Sequence, residues 1–108
     1  EPVREDDVSE LPSWMKPLGN DRYEIKTRKG KYILEDIPYS KIIDAKARTT
    51  GGKTSPAAMD NFEIALIAAS IAEPKMTDMQ VRSLKGSEFM RLRAAIYKLY
   101  DIESFLSQ

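Results

Sequence analysis

The chemistry that this sequence most directly suggests is phosphate binding, in the octet ARTTGGKT that runs from Ala47 to Thr54. The octet ends in Gly-Lys-Thr, and it has the spacing of a Walker A loop if alanine replaces the leading glycine. Such a loop works because a buried strand delivers backbone N–H groups to the start of a helix, where they surround the phosphates. The segment that leads into it, YSKIIDAKAR, has helical spacing instead. We therefore expect a polar loop between two helices and no nucleotide hydrolysis.

A second constellation is the pair of carboxylates at Asp60 and Glu63, three residues apart on one predicted helix face. The chain has no cysteine and no histidine, which removes thiolate metal ligands and the usual base near neutral pH. Acidic residues near the start of a helix are stabilised by its dipole, so we interpret the pair as a polar helix start. We expect that the protein is not an enzyme, and we predict no catalytic residues, no cofactor and no metal.

The composition is that of one small soluble domain. The chain has 108 residues, of which 42% are hydrophobic and 31% charged, and its formal net charge is +0. Overall charge therefore favours no polyanionic partner. No apolar run approaches the roughly 20 residues that a membrane-spanning helix needs, so we expect no membrane partner.

Residues 1–21 are predicted to form an acidic, loosely ordered arm, because acidic residues dominate residues 1–10 and prolines interrupt any regular element. Trp14 and Met15 are two large apolar residues within this polar arm. They form a candidate arm anchor, which would pin the arm to its own domain. The alternative is that they anchor a partner, since tryptophan is frequent at binding hot spots.

Residues 22–108 are predicted to form a single α+β domain that is mainly α. The segments YEIKT and KYILE alternate apolar and polar residues around a glycine turn, which is typical of a β-hairpin over 23–35. Helical periodicity with proline, glycine and capping signals predicts helices at about 39–48, 56–73, 78–84 and 88–106. An isolated hairpin is only marginally stable. We therefore expect the N-terminal hairpin to pack on a small bundle of about four helices.

The hairpin tip carries a candidate basic patch formed by Arg28, Lys29 and Lys31. Residues 22–53 hold nine basic and four acidic residues, and nine minus four leaves an excess of five positive charges. Such a patch could contact phosphates or complement the acidic arm. Because no aromatic residue lies at the tip to stack on a base, we expect no nucleic-acid partner and keep nucleic-acid binding as the alternative.

The most apolar predicted helix opens at Ser55-Pro56 and contains AAMDNFEIALIAASIAE. Its apolar side chains lie on more than one side. One set is Phe62, Leu66 and Ala69, and the other set is Ile64, Ile67 and Ile71. A helix that is apolar nearly all round must be covered on several sides. It is therefore either the central helix of the core or a helix that packs in part against another subunit.

The C-terminal half combines this helix with a PK stop, a short D..V..L helix and the segment KGSEFMRL, which opens the last helix. In this order of features the chain resembles the small tail assembly chaperones of long-tailed bacteriophages and prophages. The likeness covers roughly residues 23–100, and its motifs are apolar helices, a proline and a G-[ST]-[DE]-[FY] turn.

The resemblance implies a chaperone that binds and solubilises the tape measure protein, a long helical protein that sets tail length. It also implies recruitment of tail-tube subunits, homo-oligomers, a place in the cytoplasm of the bacterial host and absence from the mature virion. By this analogy either apolar set on the most apolar helix is a candidate client or self-association face. The alternative function is a small nucleic-acid-binding protein that uses the basic hairpin tip.

Overall fold

The computed structural model describes residues 11–100, which form an α+β fold that is mainly α, as the sequence predicts. Four strands lie in one antiparallel sheet, in the order β1-β2-β3-β4. The strands are β1 (Met15–Gly19), β2 (Arg22–Lys26), β3 (Lys31–Glu35) and β4 (Ile71–Glu73). The helices are α1 (Tyr39–Thr50), α2 (Pro56–Ser70), α3 (Asp78–Arg82) and α4 (Gly86–Tyr100).

The predicted hairpin is the pair β2–β3, and its alternating pattern is confirmed. Ile25 and Leu34 are fully buried, while Tyr23 and Tyr32, opposite them in the register, pack at the edge of the same core. The turn is closed by the N–H of Thr27, which donates to the carbonyl of Gly30 at 2.8 Å. One face of the hairpin therefore packs against the helices, and the other face carries its charged residues.

The sheet has two strands that the sequence pattern does not predict, and β1 is the first. It lies within the predicted loosely ordered arm, so that prediction is wrong for residues 15–19, whereas residues 1–10 lie outside the described part of the chain. Met15 pairs with Ile25 and is buried. Pro17 is compatible with this strand because β1 is at the edge of the sheet, where one side of the backbone has no ladder partner.

The second unpredicted strand, β4, replaces the end of the predicted helix 56–73. The helix α2 ends at Ser70, and Ile71 takes an extended conformation that pairs it with Leu34 of β3. Pro74 favours this outcome because it biases the preceding residue away from helical geometry. The short strand returns the chain from the core to the far edge of the sheet.

Local signals set the ends of α1 and α2. Gly51 adopts the left-handed conformation that glycine favours (φ 58°), and its N–H bonds the carbonyl of Ala47, so α1 ends two residues later than predicted. Ser55 caps α2 by accepting the N–H of Ala58 at 3.2 Å, and Pro56 occupies the first turn. Buried residues lie on all sides of α2, which confirms that it is the central helix of the core.

The last two helices follow the predicted order. Thr77 and Gln80 form both bonds of a capping box at the start of α3, as their spacing predicts. The last helix, α4, begins at Gly86, two residues before its predicted start, so Ser87 lies inside its first turn. Residues 101–106 of the predicted helix lie outside the described part of the chain. Among residues 11–100, no helix is long and apolar enough to cross a membrane.

Candidate functional site

One concave surface of the described residues is a groove between the β3–α1 connection, α1 and the end of α4. We call it the α1 groove, and its volume is about 370 Å³. It is lined by Asp36, Ile37, Tyr39, Ile42, Phe62, Leu66, Leu99 and Tyr100. Phe62 and Leu66 lie beneath its floor and are fully buried. Within residues 11–100, Asp36 is the one charged residue in this lining, so the groove is suited to apolar side chains.

Beside the groove, the outer face of α1 exposes an apolar stripe, the α1 stripe, formed by Tyr39, Ile43 and Ala47. These residues recur every four positions and so lie on one side of the helix. Tyr39 is 60% exposed and Ile43 is 44% exposed. The other large exposed hydrophobic side chains of the described residues lie singly on β1, α3 and α4. Single exposed apolar residues are normal on a protein surface, whereas adjacent ones beside an apolar groove form a candidate interaction site.

The helix α1 can expose this stripe because a different face holds it to the core. Ile42 and Ala45 are buried and lie on the side that packs against α2. The sequence pattern places Tyr39, Ile42, Ile43 and Ala47 on one face, but the structure divides this set. The exposed residues Tyr39, Ile43 and Ala47 share a strict four-residue spacing, which Ile42 does not follow. This spacing is hard to recognise in the sequence when all apolar residues of the helix are considered together.

Tyr100 fixes the shape of the groove through its hydroxyl group. The hydroxyl accepts the N–H of Ile37 at 3.1 Å and donates to the carbonyl of Glu35 at 3.0 Å. Because its only proton is used there, the buried hydroxyl of Ser70, at 2.8 Å, acts as the donor between the two. Burial raises the pKa of Tyr100. The side chain thus ties the β3–α1 connection to both α2 and α4.

The predicted client or self-association faces on α2 are placed inside the protein. Ile64, Ile67 and Ile71 are each at most 9% exposed, and Phe62 and Leu66 are fully buried. Ala69 is exposed, but it is a single small side chain. A buried side chain cannot meet a partner while the fold is intact, so the assignment of these faces is corrected. Their apolar character is explained by the central position of α2.

The predicted arm anchor contacts its own domain. Met15 is 3% exposed, and Trp14 packs at the edge of the core. The guanidinium group of Arg91 lies 4.6 Å from the centre of the Trp14 ring and donates to the carbonyl of Lys26 at 2.8 Å. Through this cation–π contact and the hydrogen bond, Arg91 of α4 is joined to the residue before β1 and to the end of β2.

The predicted basic patch lies at the hairpin tip, above a buried carboxylate. Arg28, Lys29 and Lys31 are exposed, and Lys31 pairs with Glu24 at 3.4 Å. The carboxylate of Glu88, which is 1% exposed, accepts the N–H of Lys29 at 3.3 Å. These two acidic groups reduce the positive field of the patch.

The hydroxyl of Tyr32 donates to the other carboxylate oxygen of Glu88 at 3.3 Å. Burial, followed by the charge of Glu88, raises the pKa of this tyrosine. Sequence reasoning did not find Glu88, because its role depends on contacts with residues more than fifty positions away.

The first half of the octet from Ala47 to Thr54 forms the last turn of α1, and the loop that follows is preceded by a helix and not by a strand, so its surroundings are not those of a nucleotide-binding loop. The pair Asp60 and Glu63 also has a structural explanation. Glu63 is buried and accepts hydrogen bonds from Arg93, at 2.8 Å, and from Tyr97. Within residues 11–100, no group of acidic, histidine or cysteine side chains is arranged to hold a metal ion.

Comparisons of the chain with protein families, with curated proteins and with solved structures found no match.

Proposed function

We propose that this protein is a phage tail assembly chaperone, which binds and solubilises the tape measure protein and helps recruit tail-tube subunits without remaining in the mature virion. The proposal extends to homo-oligomers and to the cytoplasm of the bacterial host. The observation that carries it is the α1 groove with the adjoining α1 stripe. This surface suits the helical client that the resemblance implies, and it is supplied by α1 and not by α2.

The shape of the site favours a helix as its occupant. Tyr39 and Ile43 are one helical turn apart, and Ala47 is small enough to allow another backbone to approach. A client helix with apolar residues at three- and four-residue steps would pack along this stripe and insert a side chain into the groove. A volume of about 370 Å³ has room for a few side chains but not for a large folded surface.

The modest size of the surface agrees with a chaperone that must later be displaced. Only two large apolar side chains of α1 are strongly exposed, so each contact with the client would be weak. A long helical client offers many similar segments, and several chaperone copies joined as an oligomer would bind it with much higher avidity than one. Tail-tube subunits could then remove the copies one after another.

The proposal is tested by co-expressing this chain with a tape measure protein, the long helical client that it names. We expect the tape measure protein to move from the insoluble to the soluble fraction and to co-purify with this chain in a complex larger than one copy of each, as measured by light scattering. A tape measure protein that stays insoluble, together with a chain that remains monomeric at every concentration, would contradict the proposal.

A further inference from the structure

Two carboxylates lie together at one end of the α1 groove, and we call them the acidic corner. They belong to Asp21, in the turn between β1 and β2, and Asp36, which lines the groove. The N–H of Asp36 donates to the carbonyl of Asp21 at 2.8 Å, so the backbone holds the two residues side by side. Both residues are exposed.

The acidic corner has no positive partner within the described part of the chain. The ion pairs of residues 11–100 all use other carboxylates. Burial, followed by the charge of Asp21, raises the pKa of Asp36. An environment that disfavours a negative charge in this way would be relieved by a positive group placed next to it.

We propose that the α1 groove selects helical segments in which a lysine or arginine flanks the apolar side chains, with the basic group placed at the acidic corner. This inference rests on the proposed function, because it names the chemistry of the segment that the chaperone holds. Among the described residues that line the groove, Asp36 is the only charged one, so it gives a mainly apolar site one acidic position. Charge at such a position sets register and orientation more than it sets affinity.

The test uses three synthetic amphipathic peptides of about 15 residues, a length at which an isolated helix begins to form. They share one apolar face and differ at a single flanking position, which is lysine, glutamine or glutamate. Binding to the full chain is measured by fluorescence anisotropy at low salt. We expect the lysine peptide to bind about three- to tenfold more tightly than the glutamate peptide, with glutamine between them, as exposed ion pairs allow.

Variants of the chain then show which carboxylates cause the preference for the lysine peptide. The double variant Asp21→Asn with Asp36→Asn should bind all three peptides equally, whereas Asp44→Asn should keep the full preference. Asparagine suits the positive φ of residue 21 (62°), so the fold is expected to persist, and circular dichroism checks it. Asp44 is a matched control because it is an exposed carboxylate of α1, about 140° round the helix from Tyr39.

Equal binding of the three peptides by the unaltered chain would overturn the inference, as would no binding of any of them. A preference that Asp44→Asn removes as fully as the double variant would also overturn it. These results are distinct from a failure of the proposed function. If tape measure fragments bind while the peptides show no preference, only the inference fails. If the peptides show the preference while tape measure fragments do not bind, only the proposed function fails.

Discussion

At the scale of single residues, a few polar side chains inside the fold decide how its elements are joined. Tyr100 connects α4 to α2 and to the β3–α1 connection, Glu63 receives Arg93 and Tyr97, and Glu88 holds the hairpin tip. A pattern of apolar and polar residues cannot reveal such roles, because the partners are far apart in the sequence. Asp60 and Glu63 were predicted as a polar helix start, but only the structure shows that Glu63 is buried.

The first prediction concerns the hydroxyl of Tyr100. Tyr100→Phe removes the hydroxyl and leaves polar groups of Ser70 and Ile37 without their partner, so the free energy of unfolding should fall by about 1–3 kcal/mol. Urea unfolding measures this change. Tyr23→Phe is the control, because the hydroxyl of Tyr23 has no hydrogen bond among the described residues, and it should change stability by less than about 0.5 kcal/mol. Equal effects of the two variants would contradict the assigned role.

The second prediction follows from the raised pKa of Tyr100, whose ordinary value is 10.0. A raised pKa means that the folded protein holds the phenolic proton more tightly than the unfolded chain does. Its contribution to stability is therefore complete below pH 10.0 and is lost as the pH rises through the folded-state pKa. Urea midpoints measured from about pH 9 to about pH 11 should fall less steeply in Tyr100→Phe than in the unaltered chain. Parallel slopes would show that Tyr100 does not titrate differently on folding.

At the scale of elements, signals that act within a few residues predict two helix starts and the hairpin turn. The N-cap at Ser55, the capping box at Thr77 and the turn at Gly30 are all formed as their spacing indicates. The strands β1 and β4 could not be predicted in this way, because each is defined by pairing with a distant strand. The residues of β4 even continue the helical pattern of α2, and long-range pairing overrides that local preference.

The third prediction tests the start of α3 against the start of α4. Thr77→Ala removes the side chain that accepts the N–H of Gln80 at 3.2 Å, and it should lower the free energy of unfolding by about 1 kcal/mol. Ser87→Ala should be nearly neutral, because Ser87 lies inside the first turn of α4 and not at its cap. Thermal or urea unfolding of both variants provides the comparison. A larger effect at Ser87 than at Thr77 would mean that α4 begins later than described.

At the scale of the whole molecule, the position of the docking surface differs from what hydrophobicity alone suggests. The sequence pattern favours α2 as a binding helix because it is the most apolar one, yet its apolar character is the reason why the fold buries most of its large side chains. The exposed apolar surface lies on the less apolar α1, whose inner face packs against the core through other apolar residues. A helix that has apolar residues outside its buried face is therefore a better candidate for a binding surface than the most apolar helix.

Whether α1 carries the docking surface is tested most directly by the affinity of the full chain for a soluble fragment of the tape measure protein, measured by calorimetry. Ile43→Glu should weaken binding about tenfold or more, because it removes apolar contact and places a charge in the contact surface. Met90→Glu is the matched control, since Met90 is 54% exposed on α4 and lies about 13 Å along that helix from Leu99.

Both positions are exposed and helical, so both variants should unfold at nearly the same urea concentration as the unaltered chain. We expect a large loss of affinity for Ile43→Glu and no loss for Met90→Glu. Unchanged binding of Ile43→Glu, or equal weakening by both variants, would contradict the claim that α1 carries the docking surface.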